Sequence, residues 1–239
     1  MSTMGRESTP ESSGSVGRRF LGAPFRLRTY KLLLYLAVAF PLGIAYFVGL
    51  LTGGAVGIGL LVTWFGLPIL LATLAGATAV AAFEARLAER LAGVDAAAPA
   101  VLREFEVRDG LVLPGGGYLD AVAALVTAPS TWTSVVLLAT KFAFGLVSFV
   151  ALAVGGTLTA VLLSAPFVYD DPTIDVGVAS TGAGGAYSVG PWTVTTFPEA
   201  VGVAVVGVAF LFVAVNGLNA LARFHASATA AILRAGDRR

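Results

Sequence analysis

Lys141 is the residue whose chemistry is hardest to place, because it stands nine positions after Trp132 and directly before the apolar run Phe142 to Tyr169. On a helix this is a depth of roughly 13 Å, where an ammonium is costly and tends to pair, face a cavity or mark a functional site. The plainer expectation is that Ser130 to Thr140 lies shallow and Lys141 snorkels to the interface. The sharper one is an ion pair with Glu84 or Asp120. Asp170, Asp171 and Asp175 form an acidic patch suited to a hard cation, but they lack the dense alternation of a dedicated calcium loop and read first as a solvated loop. Tyr187 and Trp192 could line a small pocket, although aromatic residues beside a bilayer more often anchor its interface. Lys141, Asp170, Asp171, Tyr187 and Trp192 are thus the candidate ligand or coupling residues. His225, the single histidine, is expected to be an interfacial polar residue. The sequence contains no cysteine, Ser-His-Asp order, metal-ligand histidine cluster or phosphate-binding Gly-Lys motif. The expectation is therefore no enzyme, with no catalytic or metal-binding residues and no cofactor.

The elements that must hold these residues belong to a membrane. Hydrophobic residues make up 57% of the 239-residue chain and charged residues only 12%, with a mean hydropathy of +0.87. A soluble domain carries about a quarter charged residues. No ionisable Asp, Glu, Lys, Arg or His falls between Lys31 and Glu84, which is room for two crossings of about 20 residues. Phe142 to Tyr169 and Ala200 to Ala222 supply one crossing each, giving four transmembrane helices. A net charge of +1 gives no nucleic-acid surface. Arginine and lysine cluster before the first span, after the second and after the fourth, whereas Pro166 to Glu199 has neither. Both termini are therefore expected in the cytoplasm of a multi-pass cell-membrane protein, with that loop outside.

Comparing residues 102 positions apart exposes an internal repeat. Thr29-Tyr30 falls on Thr131-Trp132, FPLGIAYFV from Phe40 on FAFGLVSFV from Phe142, Gly53-Gly54 on Gly155-Gly156, and Leu60-Leu61 on Leu162-Leu163. Each copy opens an even number of spans, so the two hairpins should share one orientation as a tandem parallel repeat. Length alone would turn the first hairpin at Gly53-Gly54. Because Gly155-Gly156 lies inside the third span, the favoured turn is Phe65-Gly66-Leu67, with the first helix ending near Trp64 and Pro68 opening the second. Gly49, Gly53 and Gly57 have the spacing that lets helices approach closely, either within the hairpins or in a homodimer.

The expected organisation is a disordered cytoplasmic tail over 1–24, the first hairpin over 25–94, and a linker with an interfacial helix over 95–129. The second hairpin follows over 130–234, including the outside loop 166–197, and a short tail closes the chain over 235–239. Phe83 to Val94 should prolong the second helix. Ile174, Val176 and Val178 alternate ahead of Tyr187 to Val194, which predicts a small β-hairpin.

TYKLLLYLAVAFPLGIAYFV from Thr29, FGLPIL from Phe65, TWTSVVLLATKFAFGLVSFV from Thr131 and GPWTVTTFPEA from Gly190 together resemble the sensor domain found at the N-terminus of actinobacterial histidine kinases and as isolated haloarchaeal membrane proteins. The resemblance covers most of Phe25 to Phe224 and implies a four-span signal-input module. Ala143 departs from it where the first copy has Pro41. The chain stops 15 residues after Phe224, so the expected output is a separate signalling partner protein rather than a fused kinase. The expected function is a non-enzymatic sensor or regulatory module; the alternatives are a small transporter or channel-like subunit and a structural scaffold. Beyond the lipid bilayer and that partner, the sequence points to no nucleic acid.

Overall fold

The computed structural model describes residues 22–96, 99, 123, 125–171, 177–178, 187–190 and 192–236. Residues 1–21, most of the linker with Asp120, Asp175 and the last three residues lie outside the described residues; of the expected interfacial helix, Ala123 and 125–127 are described and helical. Four long helices dominate: α1 (Leu27–Gly59), α2 (Gly66–Leu87), α3 (Pro129–Val168) and α4 (Phe197–Gly236). Each is long and apolar enough to cross a membrane, α2 counted with the π-helical turn Ala88–Ala92 that prolongs it. A crossing needs about 20 residues; α3 and α4, at 40 each, have twice that length.

The first hairpin turns near the favoured position and not at Gly53-Gly54, but a few residues earlier than expected, so that Gly66 and Leu67 already belong to the second helix. α1 ends at Gly59, and Leu60 to Phe65 form the turn, closed by the Thr63 and Gly66 amides donating to the Leu60 carbonyl at 2.8 and 3.1 Å. A Cβ on Gly66 would run into the backbone of Gly57, Leu60 and Leu61, so this corner requires glycine. Trp64 stands in the turn, 96% exposed. Gly53 and Gly57 face Thr73 and Leu70 of α2, so the small-residue surface closes the hairpin on itself at those two positions. Gly49 has open space beside it.

The chain divides into two compact units. One comprises Met1–Thr29 and Gly155–Gly217. Its core gathers Leu162, Ala165, Tyr187, Val194, Ala200 and Val203. Three short strands follow α3: β1 (Gly177–Val178), β2 (Ser188–Val189) and β3 (Trp192–Thr193). The expected hairpin between the Ile174–Val178 and Tyr187–Val194 segments is replaced by another pairing. β1 runs parallel to β2, and the antiparallel hairpin forms within the second segment, between β2 and β3. Gly190 at φ 61° explains the choice, since a left-handed residue there reverses the chain in fewer residues than the intervening glycine run would need. α4 starts under a charged cap: the Thr195 and Thr196 amides donate to Glu199 Oε2 at 2.9 and 3.1 Å.

The other unit comprises Tyr30–Val154 and Leu218–Arg239. Here the 102-residue repeat becomes geometry. A Cβ on Gly43 would stand 2.7 Å from the Lys141 carbonyl oxygen, and one on Gly145 would stand 2.6 Å from the Ala39 carbonyl oxygen. These are the same contact with the copies exchanged, since 39 and 43 map onto 141 and 145. Phe40 stacks on Phe149 at 4.5 Å between ring centroids, and its mate pair, Phe47 on Phe142, stacks at 5.0 Å. α1 and α3 therefore cross about a local pseudo-two-fold, as duplicated helices with a self-complementary face should. The Arg234 guanidinium donates to the Asp95 carbonyl at 3.0 Å, and Gly236 abuts Ser130 and Thr133. The end of α4 thus lies with the segment after α2 and the start of α3.

Candidate functional site

The α1–α3 crossing sets the site. Because Gly43 and Gly145 lack side chains, the Lys141 backbone lies directly on α1, and its side chain has nowhere to go but inward. α2 offers a run of small residues there: Ala77, Ala81, Ala85, Ala88 and Ala92 are all buried, and Glu84 falls among them. Lys141 Nζ donates to Glu84 Oε2 in an ion pair and to Tyr35 Oη on α1 at 3.2 Å. It also lies 5.4 Å from the centroid of the Tyr35 ring, within range of a cation–π attraction. Lys141 and Glu84 are each 1% exposed and Tyr35 is fully buried. Lys141 does not snorkel. Of the two partners considered from sequence, Glu84 takes it.

α4 completes the surroundings. The His225 ring stacks on Phe144 of α3 at 4.9 Å and 26°, and meets the Tyr35 ring at 5.2 Å and 55°. It is buried among the helices, and neither ring nitrogen has a hydrogen-bond partner among the described residues. Tyr46, buried beside Ala77, Ala81 and Ala85, sets its hydroxyl near the Glu84 carboxylate. Most hydroxyls in these helices instead bond to their own backbone, as Ser134 does to Ser130 and Thr229 to His225. The Lys141 cluster is thus a place where polar groups of different helices depend on one another. Such a cluster can hold charge, and it can redistribute bonds when one partner changes its proton or its water.

The remaining sequence candidates are spread over the other unit. Tyr187 is buried and its hydroxyl donates to the Val161 carbonyl at 2.6 Å. Burial pushes its phenol above the ordinary tyrosine range. Trp192 is 55% exposed on β3, whereas Tyr187 is enclosed. Asp170 is exposed just past the end of α3, and the Asp171 amide donates to the Val168 carbonyl at 3.3 Å. Among the described residues no three His, Cys, Asp or Glu side chains gather where they could hold a metal ion. Sequence reasoning missed Tyr35, Tyr46 and the burial of His225. The available signal was Glu84 lying in register with the alanine face, which marks that face as a helix contact rather than a lipid one.

The four apolar helices and the charge cluster enclosed among them define a multi-pass α-helical membrane protein. A family model described as "Putative sensor" matches residues 35–233, and the chain belongs to that family. No curated protein and no solved structure matches it.

Proposed function

We propose that this chain is a non-enzymatic membrane sensor or regulatory module that takes up an extracytoplasmic or membrane signal and passes it to a separate partner protein. Membership of the sensor family supports the general role. The observation that carries the finer reading is the buried Lys141–Glu84 pair with Tyr35, which ties α1, α2 and α3 together. A ligand shifts an equilibrium only where two arrangements differ in free energy. A buried pair supplies such a difference, because it costs desolvation and is strongly penalised when one partner is lost. A scaffold would be served better by apolar packing. Both termini are read as cytoplasmic from the arginine-rich segments around the spans.

The test is made in native cells, following transcripts and crosslinked partners with the wild-type chain, with Lys141→Met and with Thr173–Gly190 deleted. Altered transcripts and partner capture in both variants, at normal membrane levels, are expected. Wild-type behaviour in both would leave the scaffold reading standing and remove this one.

A further inference from the structure

His225 is the chain's single histidine, and its surroundings are hostile to a charged ring. It is 1% exposed, packed on Phe144 and Tyr35, with Nδ1 and Nε2 both unpartnered among the described residues. Each helix contributes titratable or charged groups to the cluster. α1 supplies Tyr35 and Tyr46, α2 supplies Glu84, and α3 supplies Lys141, whose ammonium bonds the same Tyr35 that His225 touches. α4 itself adds Arg223, which is exposed and donates from Nε to the Asn219 carbonyl at 3.2 Å. Glu84, the buried carboxylate among the described residues, is already engaged by Lys141.

A proton added to the ring in place would create a second buried cation beside an ammonium, with two N–H donors and no acceptor for either. The same proton is easily held once the ring reaches water. On α4 the polar and exposed Arg223 and Ser227 flank His225, and the fourth apolar run ends at Ala222, so an outward shift carries the ring toward the membrane surface expected beside that arginine. We propose that α4 is an acid-triggered latch, closed while neutral His225 lies between Phe144 and Tyr35 and opened when the ring leaves as imidazolium, so that the proton is an input to this module. The consequence for signalling rests on the sensor reading; the latch itself does not.

The sign follows from linkage. The open state binds one more proton than the closed state, so acid favours opening. A solvated histidine titrates near 6.5, so lowering the pH from 7.5 to 5.5 raises the open-to-closed ratio about tenfold. The absence of cysteine lets spin labels be placed at will. Cysteines are introduced at Arg90 and Ser227, both exposed, and the full chain is labelled in lipid nanodiscs. Nitroxide distances are measured at both pH values, alongside the nitrogen NMR signals of the lone imidazole.

A second distance population and the imidazolium signal should grow together, by about tenfold in ratio, and the growth should vanish in His225→Phe. His225→Gln serves the same purpose if the phenylalanine variant does not insert. A distance that ignores pH in the wild type, or one that shifts equally without the histidine, overturns the latch. Neither readout involves a partner protein, so failure here is separate from failure of the transcript test above.

Discussion

Lys141 and Tyr187 are equally buried, each 1% exposed, but they are satisfied in different currencies of bonding. Tyr187 gives one neutral hydrogen bond to a backbone carbonyl, at Val161. That bond can only be kept or lost, and losing it undocks a loop strand. Lys141 bonds to side chains of two other helices, and Tyr35 beside it also meets His225. These bonds can be traded. A fixed staple therefore holds the loop segment in one unit, while in the other a buried ion pair and a tyrosine hydroxyl link three helices.

The contrast can be broken hardest at Glu84. Glu84→Ala leaves an ammonium buried without its counter-ion and should cost about 3–5 kcal/mol, whereas Glu84→Leu combined with Lys141→Met should recover most of it. Unfolding by denaturant in mixed micelles measures both; a single variant as stable as wild type would mean that the pair is not closed in the membrane. Next comes the crossing that delivers Lys141. Gly145→Ala places a carbon against the Ala39 carbonyl and should destabilise by about 1–3 kcal/mol. Gly49→Ala, which meets open space, should stay within about 0.5 kcal/mol. Equal effects at the two glycines would refute the close approach.

The staple should respond least. Tyr187→Phe removes one hydrogen bond and should cost about 0.5–1.5 kcal/mol, seen as faster amide exchange in Val189 to Val194 with the helices unchanged. Its pH dependence sharpens the comparison. Because burial holds the Tyr187 phenol above its ordinary range, docking is fully stabilised below about pH 10 and is lost only as pH rises beyond it. Loop exchange protection should thus be flat across the acid range in which the His225 latch opens. Acid-sensitive protection at Val194 would show that the loop carries a further titrating group.

Much of this is legible in the sequence. The 52 uncharged residues from Leu32 to Phe83 have room for two helices in hydrocarbon and little else, because a backbone without water must bond to itself. The repeat offset makes Gly43 and Gly145 equivalent positions, although that α1 and α3 cross there was not legible in it. Other features were not readable. Hydropathy treats Lys141 the same whether it snorkels or pairs, and Glu84 and Asp120 are equally good partners on paper. His225 sits between exposed Arg223 and Ser227, so its one-dimensional neighbourhood looks interfacial even though its own face points at Phe144. The strand pairing was hidden for a similar reason: alternation marks which residues form strands, not which strand a given segment meets.

The sequence by itself determined four apolar helices, their duplication and their alternating course, because solvent exclusion and chain length act on each segment separately. The tertiary structure alone decided that Lys141 meets Glu84 and Tyr35 and that His225 is enclosed with its nitrogens unpartnered. Those outcomes depend on how four helix faces turn toward one another. A rotation of one residue, about 100° around a helix, would have sent each of these side chains to lipid or water instead.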